Sequence, residues 1–243
     1  MKIIHIITSL FDGGAEGVLY RICCNDKMNK HLVISLRDQG KYGKLLSKRG
    51  IKVYALMMKP GKFSFIAFYK LVKILKKEKA NIVQTWLYHS DFFGGFAAKL
   101  AGSNNLIWNV RHSNFNKNHT PRKLIILINV LAKLSYFLPK KIIFCSKNSI
   151  KLHSKIGYQS KKMEFVPNGY DLQKFRPTHF DNLILKKSIL KKKGIPLLGC
   201  VARFHPQKDH KNLLQALNLL KQDKIFFKCI LVGFKMNKNN KIL

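Results

Sequence analysis

The chain has 243 residues, and its 46 lysines and arginines against 11 acidic residues leave a formal charge of +35 at pH 7. Hydrophobic residues make up 47% and aromatics 11%, enough apolar side chain for a packed core, so a wholly disordered basic tail is excluded. The bases run from Lys2 to Lys241 and form no single block, so the surface is expected to attract anionic lipid, nucleic acid or an anionic substrate without singling one out.

Short β-branched runs alternate with longer amphipathic stretches from the N-terminus onward. KIIHIIT (2–8) predicts a strand, residues 15–24 a helix opened by the Gly13-Gly14 turn, and HLVISL (31–36) a second strand. A short helix over 44–49 stops at Gly50 and leads into the strand IKVYAL (51–56). Residues 63–77 repeat apolar side chains at helical spacing, which predicts Phe65, Phe68, Tyr69, Val72 and Leu75 on one side and lysines on the other. NIVQTW (81–86), a helix over 92–101, LIWNV (106–110), a helix from Pro121, KIIFCS (141–146), a helix over 148–156 and MEFVP (163–167) continue the alternation. Strands separated by helices require parallel crossovers, so the fold class is α/β with a doubly wound sheet.

The composition changes at PNGYDLQKFRP (167–177). The reading is a complete N-terminal domain over 1–168, a linker over 169–193, and the start of a second α/β domain over 194–243. In that second part GIPLLGCVAR (194–203) and IFFKCILVG (225–233) read as strands around a helix over 209–221. Five cysteines with no C-x-x-C spacing, three of them (Cys145, Cys200 and Cys229) in or beside apolar runs, predict buried thiols and a reducing, cytoplasmic setting. The longest apolar segment, 124–138, is broken by Asn129 and Lys133 and is too short for a membrane span.

Three groups of residues could carry chemistry. Gly13 and Gly14 lie between a strand and a helix, where they either cradle a phosphate with backbone N–H groups or simply make a tight turn. Arg203 follows a strand and Lys208 precedes a helix, which places two cations at a sheet's carboxyl edge, where anionic ligands bind in such folds. His89 and the run Arg111, His112, Ser113 sit after other strands, either as site residues or as ordinary loop polarity. There is no D-x-D, no H-E-x-x-H, no zinc-spaced Cys/His cluster and no G-x-x-x-x-G-K-[ST] loop.

In order along the chain, GGAE (13–16), WLYHSDFFGGFAAKLAG (86–102), IWNVRHS (107–113), FVPNGYDLQKF (165–175) and VARFHPQKDHKNLLQAL (201–217) resemble the GT4-type glycosyltransferases of the GT-B fold. The resemblance implies two Rossmann-like domains and a sugar transfer with retention from a nucleotide-diphospho-sugar donor, with neither cofactor nor metal. Arg203 and Lys208 match the family's positions that neutralise the departing diphosphate, where fixed cations stabilise growing charge. Gly13, Gly14, Glu16, Asn168 and Gly169 match donor-binding positions. His89, and Arg111 or His112, match the acceptor side, with the last two ambiguous by one residue. The family's E-x(7)-E motif lies beyond residue 243, so this polypeptide by itself is expected to be weak or inactive, as a gene fragment or truncated product.

The family's acceptors are commonly lipid-linked saccharides, in cell-surface polysaccharide or lipopolysaccharide synthesis. The lysine excess is therefore expected to serve an anionic membrane surface, with peripheral attachment at the inner face of the plasma membrane. Residues 63–79 and 124–141 are the candidate contacts, although core packing explains their apolar sides equally well. Non-catalytic binding of nucleic acid is the alternative, opposed by dispersed lysines and scarce arginine.

Overall fold

The computed structural model describes residues 1–112, 120–173, 175–176 and 195–237, apart from the side chain of Gln207. Ser113 and most of the expected linker lie outside the described residues. The chain divides into two units, Met1–Asp171 and Leu172–Leu243.

The first unit alternates strand and helix: β1 (Lys2–Ile7), α1 (Gly14–Asn25), β2 (Lys30–Ser35), α2 (Gly40–Lys48), β3 (Lys52–Ala55), α3 (Phe65–Glu78) and β4 (Ile82–Trp86). It continues with α4 (Tyr88–Leu100), β5 (Leu106–Val110), α5 (Arg122–Leu134), β6 (Lys141–Phe144), α6 (Lys147–Ile156) and β7 (Met163–Phe165). The seven strands form one sheet in the order β3-β2-β1-β4-β5-β6-β7, and all six pairings are parallel. The doubly wound α/β architecture expected from the alternation is thus present, in keeping with the first Rossmann-like domain that the GT-B resemblance implies. The strand order reverses between β1 and β4, and the crevice beyond the strand ends at such a reversal is the usual ligand position.

Period-2 alternation in the central strands sorts side chains between the two faces. Ile4, Ile6 and Ile34 pack with Leu71 of α3, Phe93 of α4 and Leu131 of α5 on one face. Ile7, Val33 and Trp86 pack with Val18, Leu19 and Cys23 of α1 and Leu46 of α2 on the other. Glu78, at the C-terminal end of α3, ties the helix to the sheet: its carboxylate accepts from Lys2 Nζ (2.5 Å), Lys52 Nζ (2.8 Å) and the Tyr54 hydroxyl (2.8 Å). Those donors hold its pKa down at about 2 and offset the repulsion a carboxylate meets at a helix C-terminus.

Three expectations are corrected. In α3 the core side is Ala67, Leu71 and Leu75, while Phe65 (81% exposed) and Tyr69 (68%) stand in solvent with the lysines. The apolar arc of this helix is wider than the face the sheet can cover. The helix expected over 92–101 starts at Tyr88, so His89 is helical and not on a loop. Of the cysteines only Cys23 is buried, and Cys145, Cys200 and Cys229 are half-buried.

In the second unit β8 (Leu197–Val201) pairs in parallel with β9 (Lys228–Val232), and α7 (His210–Gln222) runs between them. No helix among the described residues is long and apolar enough to cross a membrane.

Candidate functional site

The first unit has a cleft of about 390 Å³ lined by Gly13, Gly14, Ala15, Gly17, Val18, Arg21, Tyr42, Arg111, Cys145, Asn168 and Tyr170. These residues come from the turn after β1, one face of α1, α2 (Tyr42), and the segments that follow β5, β6 and β7. The cleft therefore lies at the carboxyl edge of the sheet, where the chain leaves β1 and β4 toward opposite faces.

Gly13 is the N-cap of α1 in extended conformation, with no side-chain cap. The opening N–H groups of a helix have no partner within it, so those of Gly14 and Ala15 are donors for an anion at the cleft wall. A Cβ on Gly14 would meet nothing within 4 Å, so backbone is the wall itself at that point. Arg111 completes the opposite wall. Its guanidinium lies 4.9 Å from the centroid of the Trp86 ring, and its Nη1 donates to Asn168 Oδ1. Burial lowers its pKa from the ordinary arginine value, and nearby Arg21 adds to the effect. Arg21 stacks over Tyr170 at 5.6 Å. No acidic side chain lines the cleft, and among the described residues neither arginine is ion-paired to one. Two arginines and a helix N-terminus, with no acidic side chain among the described lining residues, make a site for an anion such as a diphosphate.

A second group of polar side chains stands at the same sheet edge on the opposite face. Leu87 joins β4 to α4 with φ 72° and ψ 152°, a conformation that costs a non-glycine residue about 1–3 kcal/mol. It lets α4 begin at once, and the N–H groups of Ser90 and Asp91 both donate to the Leu87 carbonyl at 2.9 Å. His89 is thereby fixed in the first turn of α4. It is exposed, and partial desolvation brings its pKa below 6.5. His112 stacks on Tyr88 with ring centroids 5.1 Å apart. Behind it the Tyr88 hydroxyl donates to His153 Nε2 at 2.8 Å, while His153 Nδ1 donates to the Ser149 carbonyl at 2.7 Å.

Strand alternation thus separates two neighbours: Arg111 enters the cleft and His112 packs on Tyr88. Gly13, Gly14, Arg111 and Asn168 come together in the cleft, but Glu16, Gly169, His89 and His112 do not line it. Glu16 is 8% exposed, and its carboxylate lies beneath the turn, 2.3 Å from where a Gly13 Cβ would stand. In the second unit Arg203 is exposed two residues beyond β8, and Lys208 is exposed at the end of the 3-10 turn Pro206–Lys208. Arg21, Tyr42, Cys145 and Tyr170 were not anticipated from sequence. The spacing of Gly14, Gly17, Val18 and Arg21 on α1 is a helical stripe that could have revealed the first of them.

Residues 13–174 match Glycosyltransferase Family 4. Over 154 residues, 60% of this chain and 37% of the relative, the sequence is 32% identical to the UDP-Gal:alpha-D-GlcNAc-diphosphoundecaprenol alpha-1,3-galactosyltransferase of Escherichia coli. Over 219 residues, 85% of this chain and 57% of the relative, it is 26% identical to the N,N'-diacetylbacillosaminyl-diphospho-undecaprenol alpha-1,3-N-acetylgalactosaminyltransferase of Campylobacter jejuni subsp. jejuni serotype O:2. The fold is similar to that of Anabaena Alr3699/HepE, solved in complex with UDP and glucose, at a TM-score of 0.74 and 18% identity over 97% of this chain and 70% of that one. The chain spans between 37% and 62% of the length of the curated relatives it matches. With two thirds of its residues inside the match and a parallel sheet of matching fold, the chain belongs to Glycosyltransferase Family 4.

Proposed function

We propose that the protein transfers a glycosyl group, with retention, from a nucleotide-diphospho-sugar to a lipid-linked saccharide during the synthesis of a cell-surface polysaccharide or lipopolysaccharide. The observation that carries this reading is the cleft at the strand-order reversal, with the uncapped N-terminus of α1 on one wall and the desolvated Arg111 on the other. Both relatives quoted by name act on diphospho-undecaprenol-linked sugars, which supports a lipid-linked acceptor here.

In the transfer the bond from the sugar anomeric carbon to the diphosphate oxygen breaks, a bond to an acceptor hydroxyl oxygen forms, and the hydroxyl proton passes to the departing diphosphate. Negative charge grows on the departing diphosphate, so oriented N–H donors and cations in a partly dry cleft stabilise the transition state more than the ground state. Gly13, Gly14 and Arg111 serve that purpose in the first unit, without a metal. His89, neutral at pH 7, can accept a hydrogen bond from the acceptor hydroxyl.

Attachment to an anionic membrane completes the reading. Phe65, Ile66 (71% exposed) and Tyr69 project from α3 beside the exposed Lys62, Lys70 and Lys73. Aromatic and aliphatic tips ringed by lysines suit an anionic headgroup surface. Dispersed lysines and an acid-free cleft of only 390 Å³ give nucleic acid no comparable footprint.

The test is transfer of labelled sugar from a panel of nucleotide-diphospho-sugars to diphosphoundecaprenol-linked GlcNAc in vesicles, with the anomeric configuration of the product read by NMR. Product of retained configuration that is lost in Arg111→Ala supports the proposal. An inverted product, or equal rates in wild type and Arg111→Ala, would overturn it.

A further inference from the structure

Under α1, on the face of the sheet that carries Trp86, a strip of polar side chains runs from the cleft toward the opposite edge. The Trp86 Nε1–H donates to His5 Nδ1 at 3.2 Å. His5 Nε2 meets His31 Nδ1 at 3.0 Å, and His31 Nε2 meets Asp26 Oδ2 at 3.1 Å. His5 is 1% exposed and stacks on His31 with ring centroids 5.2 Å apart.

The donor direction along this strip is fixed by chemistry. An indole nitrogen only donates, so His5 Nδ1 must accept. Burial brings His5 down to about 3, so its ring is neutral and its one proton sits on Nε2. That proton faces His31 Nδ1, with the Gln84 side chain as a further hydrogen-bond partner of His5, and a His31 Nδ1 that accepts leaves the His31 proton on Nε2, facing the Asp26 carboxylate. Every member has its role, and the charged terminus is Asp26, whose pKa its hydrogen bonds lower. The two imidazoles and Cys23 Sγ lie within 4.8 Å of one another, a spacing a metal ion could use. The donor-only indole argues against that use, because it keeps the His5 proton on the nitrogen a metal would need.

At the cleft end, the Arg111 guanidinium lies on the Trp86 face, and its Nε is buried without a hydrogen-bond partner among the described residues. Ring stacking, the bond to Asn168 and a side-chain hydrogen bond with Cys145 therefore set where Arg111 points, and of these only the stacking depends on the indole plane. We propose that His5 is a positioning residue for the cleft: the chain Trp86 to His5 to His31 to Asp26 locks the indole plane, and the locked indole orients Arg111. The inference rests on the cleft being the anion site, and two readouts keep the two ideas apart.

The first readout is imidazole and indole 15N NMR on the wild-type chain, which needs no mutation. Both His5 and His31 are expected as Nε2–H tautomers, with a slowly exchanging Trp86 indole proton. An Nδ1–H tautomer at either histidine, or stoichiometric zinc binding that is lost in Cys23→Ala, would overturn the proposal.

The second readout compares His5→Leu, which removes the acceptor, with His5→Asn, whose side-chain oxygen can replace it. The Arg111 Nε–H resonance, identified by its loss in Arg111→Lys, should lose its ring-current shift in His5→Leu and keep it in His5→Asn. Affinity for inorganic pyrophosphate should fall roughly fivefold in His5→Leu, as expected for loss of one ordered cation–π contact, and should not fall further when His5→Leu is added to Arg111→Ala. Additive losses, or an unmoved Arg111 resonance in a folded His5→Leu, would contradict the positioning role. If Arg111→Ala alone leaves pyrophosphate binding intact, the anion-site reading fails, whereas the tautomers and the Arg111 resonance still decide the role of His5.

Discussion

Gly14 and Gly40 show how differently two glycines of one cleft region are constrained. Gly40 has φ +48°, and a Cβ there would come within 2.4 Å of the Leu10 carbonyl oxygen, so Gly40→Ala should destabilise the fold markedly. Gly14 has open space around it and is the first residue of α1, so Gly14→Ala should leave stability unchanged or raise it by about 0.5 kcal/mol. The same methyl group would stand on the cleft wall and weaken pyrophosphate binding several-fold. Thermal melts paired with titration check both halves, and a Gly14→Ala that binds as well as wild type would remove the backbone donors from the account. Asp91 makes a second residue-scale case. It is fully buried, accepts from Thr85 Oγ1 at 2.5 Å, and burial raises its pKa well above the usual carboxylate range. The native state therefore keeps a proton that the unfolded chain releases above about pH 3.9, so this group's contribution to stability falls as pH rises from there through its folded pKa. Asp91→Asn should match wild type near pH 4 and gain on it toward pH 7, by roughly 1.4 kcal/mol per pH unit over which only the native state holds the proton. A melting difference that does not change with pH would refute this.

At the scale of elements, apolar runs such as KIIHII and LIWNV were legible as strands because the central strands of a parallel sheet are buried on both faces. The junction between β4 and α4 was not legible, since nothing in the sequence announces that Leu87 takes a left-handed φ of 72°. Relieving that strain should show: Leu87→Gly is expected to be no less stable than wild type despite the lost side chain, while a β-branched Leu87→Val should lose about 1–3 kcal/mol. Equal stability of the two variants in denaturant melts would mean that the turn stores no strain. For α3, periodicity gave the helix but not its buried arc, because Phe65 and Tyr69 fit the apolar pattern as well as Leu71 and Leu75 do. Their exposure turns the helix into the candidate membrane contact. Charge reversal of Lys70, Lys73, Lys76 and Lys77 to Glu should abolish flotation with vesicles containing anionic lipid, and Phe65→Ser with Tyr69→Ser should weaken it. Flotation that survives the charge reversal would move the contact elsewhere, the α5 face with its exposed Ile126 and Lys123 being the next to test.

For the whole molecule, the alternation of strands and helices was enough to predict the α/β class, and the motif order pointed to the family. The cleft was only half legible. The Gly13-Gly14 turn, Arg111 and Asn168 lie far apart in sequence, and the parallel register gathers them at one edge. Whether Arg111 or His112 faced that edge depended on the pleat of β5, which a one-residue ambiguity in sequence cannot resolve. The strip of His5, His31 and Asp26 was not legible at all, because adjacent strands create it: His31 stands opposite Ile3, one pleat from His5 on the same face. The net charge of +35 adds a diffuse attraction for any anion, screened over about 8 Å at physiological salt, so a specific anion site must be distinguished from that background. The decisive measurement is isothermal titration of inorganic pyrophosphate at 0.15 M ionic strength into wild type, Arg111→Ala, and a control that removes two exposed lysines at the C-terminal end of α3, Lys76→Ala with Lys77→Ala. The cleft account predicts one saturable site in wild type and control alike, with affinity lowered at least about tenfold in Arg111→Ala, the equivalent of ~1.4 kcal/mol. Equal affinities in all three proteins, or a loss in the control as large as that in Arg111→Ala, would contradict it.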